Sequence, residues 1–225
     1  MSPVAFRERL IEYQRSNSGK LMLAFNIVLG SQIYQYDIFW GDPSIIFDQE
    51  TRFNSSPLAV TLIPHRHGLP ATRVFLHEGL NPNNVNVFEM VVAHEIGHLW
   101  LHDIVGFNNP STRQSMSERD TESWCDYFAY CFFQKYRGIS NAESFSEIIR
   151  STGELQMELY SIDKTPENIE HFSTRANDFL QFSFKVGVLQ IDGDRFVAQM
   201  LSTIETTLVA LSDIFRQNEN QLGII

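Results

Sequence analysis

Cysteine is scarce in this chain, with only Cys125 and Cys131 among 225 residues. Both fall in one expected helix, six positions apart and on different faces, too far apart to bridge without distortion. That excludes a disulfide scaffold and reads both thiols as small core residues of a reducing compartment. Long apolar runs are missing too. The N-terminus, MSPVAFRERLIEYQRSNSGK, mixes charges of both signs and lacks the apolar core of a signal peptide. The run LMLAFNIVLG (21–30) is too short to span a bilayer. The expectation is a cytoplasmic protein with no membrane partner, signal-less export being left open. Basic residues are outnumbered, 17 Lys+Arg against 27 Asp+Glu, and no basic stripe is present to neutralise phosphates, so direct nucleic-acid binding is not expected. Repeats, low-complexity tracts and long linkers are absent.

Phenylalanine, by contrast, is abundant, and 18 of them imply an aromatic core. Residues 3–15 have helical spacing. Residues 21–29, 33–39, 44–48, 58–63 and 72–77 are rich in β-branched and aromatic side chains and read as strands. From residue 86 the pattern becomes helical. Asn86 with Glu89 forms a capping-box pattern, and the helix continues until Gly106. Ser117 with Asp120 opens a second helix, 118–136, ending before Gly138. Helices near 141–151 (from Ser140 and Glu143), 153–161, from Pro166, and 194–217 follow, the last after the turn Asp192-Gly193. The fold class is α+β. A change of pattern near 138–140 divides residues 1–138 from a helical extension, 139–225, expected to pack on the core.

His94-Glu95-Ile96-Gly97-His98 is an HExxH motif inside the first of these helices. Residues four apart share a helix face, so both imidazoles can reach one Zn2+ ion, with Glu95 beside them as the general base. A catalytic zinc usually takes a third protein ligand. Glu122-Ser123-Trp124-Cys125-Asp126 supplies one: Glu122 as ligand, with Asp126 one turn on to accept a hydrogen bond from the distal nitrogen of His94 or His98. Glu118, one turn earlier, is the rival ligand. His102 is not a ligand on this reading, because three helical turns separate it from His94 by about 12 Å. It is assigned instead to the helix C-terminus, where a cationic ring suits the dipole. Tyr127, His77 and Tyr130 are candidates for stabilising an oxyanion. Strand 72–77 is a candidate edge for pairing with an extended substrate. His65-Arg66-His67 reads as a solvated turn, and the helix–turn–helix spacing of 155–172 as two packed helices.

HEIGHLWLH followed by E122-S-W-C-D126-Y-F128-A129 resembles the ImmA/IrrE family of bacterial and phage gluzincin metallopeptidases. That family shows HE-[LI]-GHxxxH and then E-x-x-A-[ND]-x-F-A on the next helix. Asp126 stands where its members usually have Asn, and the Met-Pro that often follows their second helix is absent. The resemblance covers about residues 72–133. It implies a zincin-like metallopeptidase core, with His94, His98 and Glu122 on zinc and Glu95 as base. It also implies a specific protein substrate, often a repressor-type regulator. Two other readings stay open: an effector protease delivered into another cell, and a non-hydrolytic, zinc-stabilised module that binds a protein partner. Substrate identity and oligomeric state are not readable from the residues.

Overall fold

The computed structural model describes residues 19–29, 31–41, 58–62, 72–104, 116–186 and 195–222. Helix 3–15, strand 44–48, His65-Arg66-His67, Gly106 and the Asp192-Gly193 turn lie outside them. Among the described residues the fold is mixed α+β, a four-stranded sheet with five helices, and mostly helical. The chain divides into two compact units, Met1–Asn84 with Ser202–Ile225, and Val85–Leu201.

In the first unit the strands are β1 (Gly19–Leu29), β2 (Gln32–Gly41), β3 (Ala59–Leu62) and β4 (Thr72–Leu76), in the order β1-β2-β4-β3. β1 and β2 form an antiparallel hairpin with a register shift between Leu21 and Leu23. β2 pairs parallel with β4, and β4 antiparallel with β3. β4 therefore has a neighbour on each side. It is not the edge expected from the sequence, because both rows of its backbone groups are already spent on the ladder. Tyr36, Ile38 and Phe39 of β2 and Val74, Phe75 and Leu76 of β4 are buried, and Phe39 stacks on Phe75 at 4.9 Å. From Tyr36 onward in β2 and throughout β4 no residue is fully exposed, which suits the apolar runs Ile38-Phe39-Trp40 and Val74-Phe75-Leu76. The last helix, α5 (Arg195–Leu222), runs through the division of the units. Its Ile204, Leu208 and Leu211 are buried at helical spacing, and Phe215 meets Trp40 edge-on at 4.5 Å.

The second unit is helical. α1 (Val85–Leu99) is buried nearly all round, as expected of a central helix. It starts one residue before Asn86, out of a turn in which the Asn81 side chain accepts from the Asn83 N–H at 2.8 Å. The expected capping box is not formed. Glu89 instead receives both Nε and Nη2 of Arg137, at 2.6 and 2.8 Å. A bidentate, charge-assisted pair in a mostly buried setting outweighs a single neutral cap. After Leu99 the helix widens into a π turn, Trp100–Ile104.

α2 (Glu118–Tyr136) is capped as expected. Ser117 accepts from the Asp120 N–H, and the N–H groups of Arg137 and Ile139 both donate to Phe133 O across Gly138, whose φ of +71° needs a glycine. α3 (Ala142–Leu159) is one helix where two were expected, with Asn141 rather than Ser140 as its cap. Gly153 does not break it. A Cβ there would lie 2.9 Å from Phe172 Cβ, so the glycine lets α4 (Pro166–Val186) approach α3 closely. Tyr130, Phe145 and Phe179, one ring from each of α2, α3 and α4, meet at 5.1–5.5 Å between centroids. Residues 155–172 are thus the end of α3, a turn and the start of α4, two packed helices as expected.

Candidate metal centre

Two helices supply the site, and Gly97 sets their separation. A Cβ at Gly97 would come within 3.1 Å of Cys125 Cα and 3.3 Å of Cys125 Cβ. The missing side chain lets α1 and α2 cross backbone against side-chain root. That crossing brings the 94/98 face of α1 onto the 122/126 face of α2.

The outcome is a compact cluster of ligand atoms. His94 Nε2 and His98 Nε2 are 3.2 Å apart. Glu122 spans both rings, with Oε2 3.1 Å from His94 Nε2 and Oε1 3.4 Å from His98 Nε2. Donors about 2.05 Å from a tetrahedral zinc ion lie roughly 3.3 Å from one another. The three separations match that edge, so these residues could hold a metal ion. Glu118, the rival, is exposed at the start of α2, and the carboxylate at the histidines is that of Glu122.

A second grouping overlaps the first. His94, His98 and Cys125 place one ligand atom each within 4.8 Å of one another, and this set too could hold a metal ion. Cys125 is buried, and burial first, then the carboxylates of Glu122 and Asp126, push its thiol well above the ordinary range. The tighter edges of the carboxylate set, 3.1–3.4 Å against a spread of up to 4.8 Å, favour Glu122 as the third donor.

Behind His94 lies a layer of polar partners. His94 Nδ1 and Asp126 Oδ1 are 2.7 Å apart, and with Nδ1–H donating, Nε2 is left to face Glu122 and His98. Asp126 is 1% exposed and is also gripped by Arg175 of α4, Nε to Oδ2 at 2.9 Å and Nη2 to Oδ1 at 2.5 Å. Arg175 Nη2 also comes within 2.8 Å of His94 Nδ1, because both nitrogens share Oδ1 as acceptor. Arg175 did not emerge from the sequence. No motif surrounds it in the sequence, and only the packing of α4 brings it here.

The charges follow from these neighbours. Burial and Arg175 act to lower the pKa of His94, but Asp126 and Glu122 outweigh them and raise it to about 9. Burial dominates at His98 and lowers it to about 4, against the pull of Glu122. Burial works against the Glu122 carboxylate, yet His98, His94 and Arg175 hold it below its usual range. Asp126 is likewise held down against burial by Arg175 and His94.

Glu95 is buried on α1 between the two histidines in sequence. His102 lies in the last turn of the π segment, at the helix C-terminus as expected, and is buried there with its ring parallel to that of His98 at 5.8 Å. Of the oxyanion candidates, Tyr130 donates its hydroxyl to Ser140 O at 2.7 Å, and Tyr127 is hydrogen-bonded to Cys131. His77 belongs to the other unit, where its Nδ1 accepts from the Gly79 N–H.

No protein-family model, curated protein or solved structure matches the chain. Among the described residues no helix is long and apolar enough to cross a membrane.

Proposed function

We propose that this chain is a zinc-dependent peptidase of the gluzincin type, with a zincin-like core, cleaving a specific protein substrate. The observation that carries the reading is the triangle of His94 Nε2, His98 Nε2 and the Glu122 carboxylate, with edges of 3.1–3.4 Å. His94, His98 and Glu122 would hold the ion. When bound, zinc supplies Lewis-acid polarisation of a scissile carbonyl and acidifies the attacking water.

The protein's own residues do the rest. Glu95 takes the proton of the attacking water and returns it to the leaving amine. Asp126 keeps the proton of His94 on Nδ1, so Nε2 offers its lone pair to the metal. Glu122, held ionised by its neighbours, presents negative charge to the ion at neutral pH. The resemblance to the ImmA/IrrE family extends this reading to a regulatory protein as substrate, cut at a defined site.

The test compares zinc-loaded wild type with Glu95→Gln in a native cell extract, mapping new protein N-termini by mass spectrometry. Both proteins should hold one zinc per chain. Termini generated by wild type should fall in rate by about 10²–10⁴ in the variant, the usual contribution of a general base. Equal cleavage by both would remove Glu95 from the mechanism. Bound zinc with no wild-type cleavage in extracts containing candidate regulators would shift the assignment to a zinc-stabilised binding module.

A further inference from the structure

We propose that Arg175 is a positioning residue of this metal site, setting the orientation of His94 through Asp126. The inference rests on reading His94 as a metal ligand. An aspartate carboxylate turns easily about its last side-chain bond, with a broad, two-fold preference. A single contact with His94 Nδ1 at Oδ1 would leave the carboxylate plane free to tilt. Arg175 removes that freedom by engaging both oxygens, Oδ2 through Nε and Oδ1 through Nη2. A planar guanidinium held in two places fixes the plane of its partner, which a point-charge ammonium does not.

The backbone beneath Arg175 is itself well held. Ala176 beside it and Phe179 one turn on are fully buried, and Phe179 is one of the three rings joining α2, α3 and α4. One turn before it, Phe172 rests in the gap left by Gly153. The position of α4 is therefore transmitted from its aromatic packing to Arg175, to Asp126 and to the His94 ring. α4 is on this account part of the metal site rather than an appendage to it.

A second α2–α4 ion pair provides the control. Arg119 of α2 grips Asp178 of α4 through Nε and Nη2, at the exposed surface and without contact to the histidines. The experiment measures zinc affinity by competition with a chromophoric chelator, and the visible spectrum of the Co(II)-loaded protein. It uses full-length wild type, Arg175→Ala, Arg175→Lys and Arg119→Ala. Arg175→Ala should weaken zinc binding by about 10–100-fold, the range for losing an outer partner of a ligand. Its cobalt bands should shift, and added methylguanidinium should restore part of the affinity. Arg175→Lys should fall between, since it keeps the charge and loses the fork. It carries the test if the alanine variant does not fold. Arg119→Ala should match wild type. Unchanged zinc affinity and spectrum in both Arg175 variants would overturn the proposal, as would an equal loss in Arg119→Ala. Failure of wild type to bind zinc at all would instead overturn the metal reading, and this inference with it.

Discussion

At the scale of single residues, the site turns on which third ligand completes the pair of histidines. Glu122 meets both Nε2 atoms at 3.1 and 3.4 Å, whereas the Cys125 set is looser, within 4.8 Å, and begins from a protonated thiol. Glu122→Ala should therefore strip zinc, and Cys125→Ser should keep it; metal content of the purified variants, by elemental analysis, checks this. The reverse pattern would make the ligand set two histidines and a thiolate. Protons give a second handle. A ligand imidazole must be neutral, and His94, raised to about 9, is charged at pH 7, while His98, lowered to about 4, is not. Zinc binding at pH 7 should thus release about one proton, with affinity rising up to about tenfold per pH unit until pH approaches 9. Titration calorimetry in buffers of different ionisation enthalpy measures that proton, and a buffer-independent heat would refute it. The metal-free protein should show the opposite trend. A pKa raised on folding contributes stability that is fully present below the unfolded value of about 6.5. It is lost as pH rises through about 9, so apo stability should fall across this window while zinc affinity climbs.

Elements show where glycine is doing geometry rather than breaking structure. Gly97→Ala would gain up to about 1 kcal/mol of helix propensity, but its new methyl would press on Cys125 Cα at 3.1 Å. Overpacking of that kind costs about 1–3 kcal/mol. The variant should be less stable than wild type by chemical denaturation and bind zinc more weakly, because α1 and α2 must part. Gly138→Ala is the contrast. Nothing lies near its Cβ, so its left-handed φ should cost about 1–2 kcal/mol with zinc affinity unchanged. A weakened metal site in the second variant but not the first would show that the helix crossing does not control the ligands. The elements were legible in the sequence where local chemistry decides them. The Ser117 cap, the stop at Gly138, Pro166 at the first helical position and the strands around 19–41 and 72–76 follow from propensity and patterning. That His94 with His98 and Glu122 with Asp126 would each share a helix face was legible as well, from helical spacing alone, and the two pairs do meet. What was not legible depends on contacts between distant segments. Glu89 leaves its capping box for Arg137, 48 positions on, Gly153 continues a helix because Phe172 needs the space, and β4 lies inside the sheet because β3 returns beside it. Arg175 is the extreme case, meeting its partner 49 residues away from within an otherwise unmarked helix.

For the molecule as a whole, the division into units would make the proposed metal binding a regional property. All the residues assigned to the site, from His94 to Arg175, lie within Val85–Leu201, while the sheet belongs to the other unit. Anything that binds only the folded state stabilises it by mass action, about 4 kcal/mol at a thousand-fold excess over the dissociation constant. Removing the metal should then release that stabilisation first where the ligands are anchored. Local openings in a protein need not share one free energy, and hydrogen exchange reads them segment by segment. On chelation, amide protection should fall most in α1 around 90–99, in α2 around 120–128 and in α4 around 172–179. β2 and β4, whose strands are buried at Tyr36, Ile38, Val74 and Phe75, should change little. Re-adding zinc should restore the pattern, and Arg175→Ala should show a partial loss in the same segments with metal present. Exchange that rises equally in the sheet would mean that the two units unfold as one, with zinc supporting the whole chain. Exchange unchanged everywhere would mean that the helix crossing, and not the ion, holds the ligands in place, a site preorganised before its metal arrives.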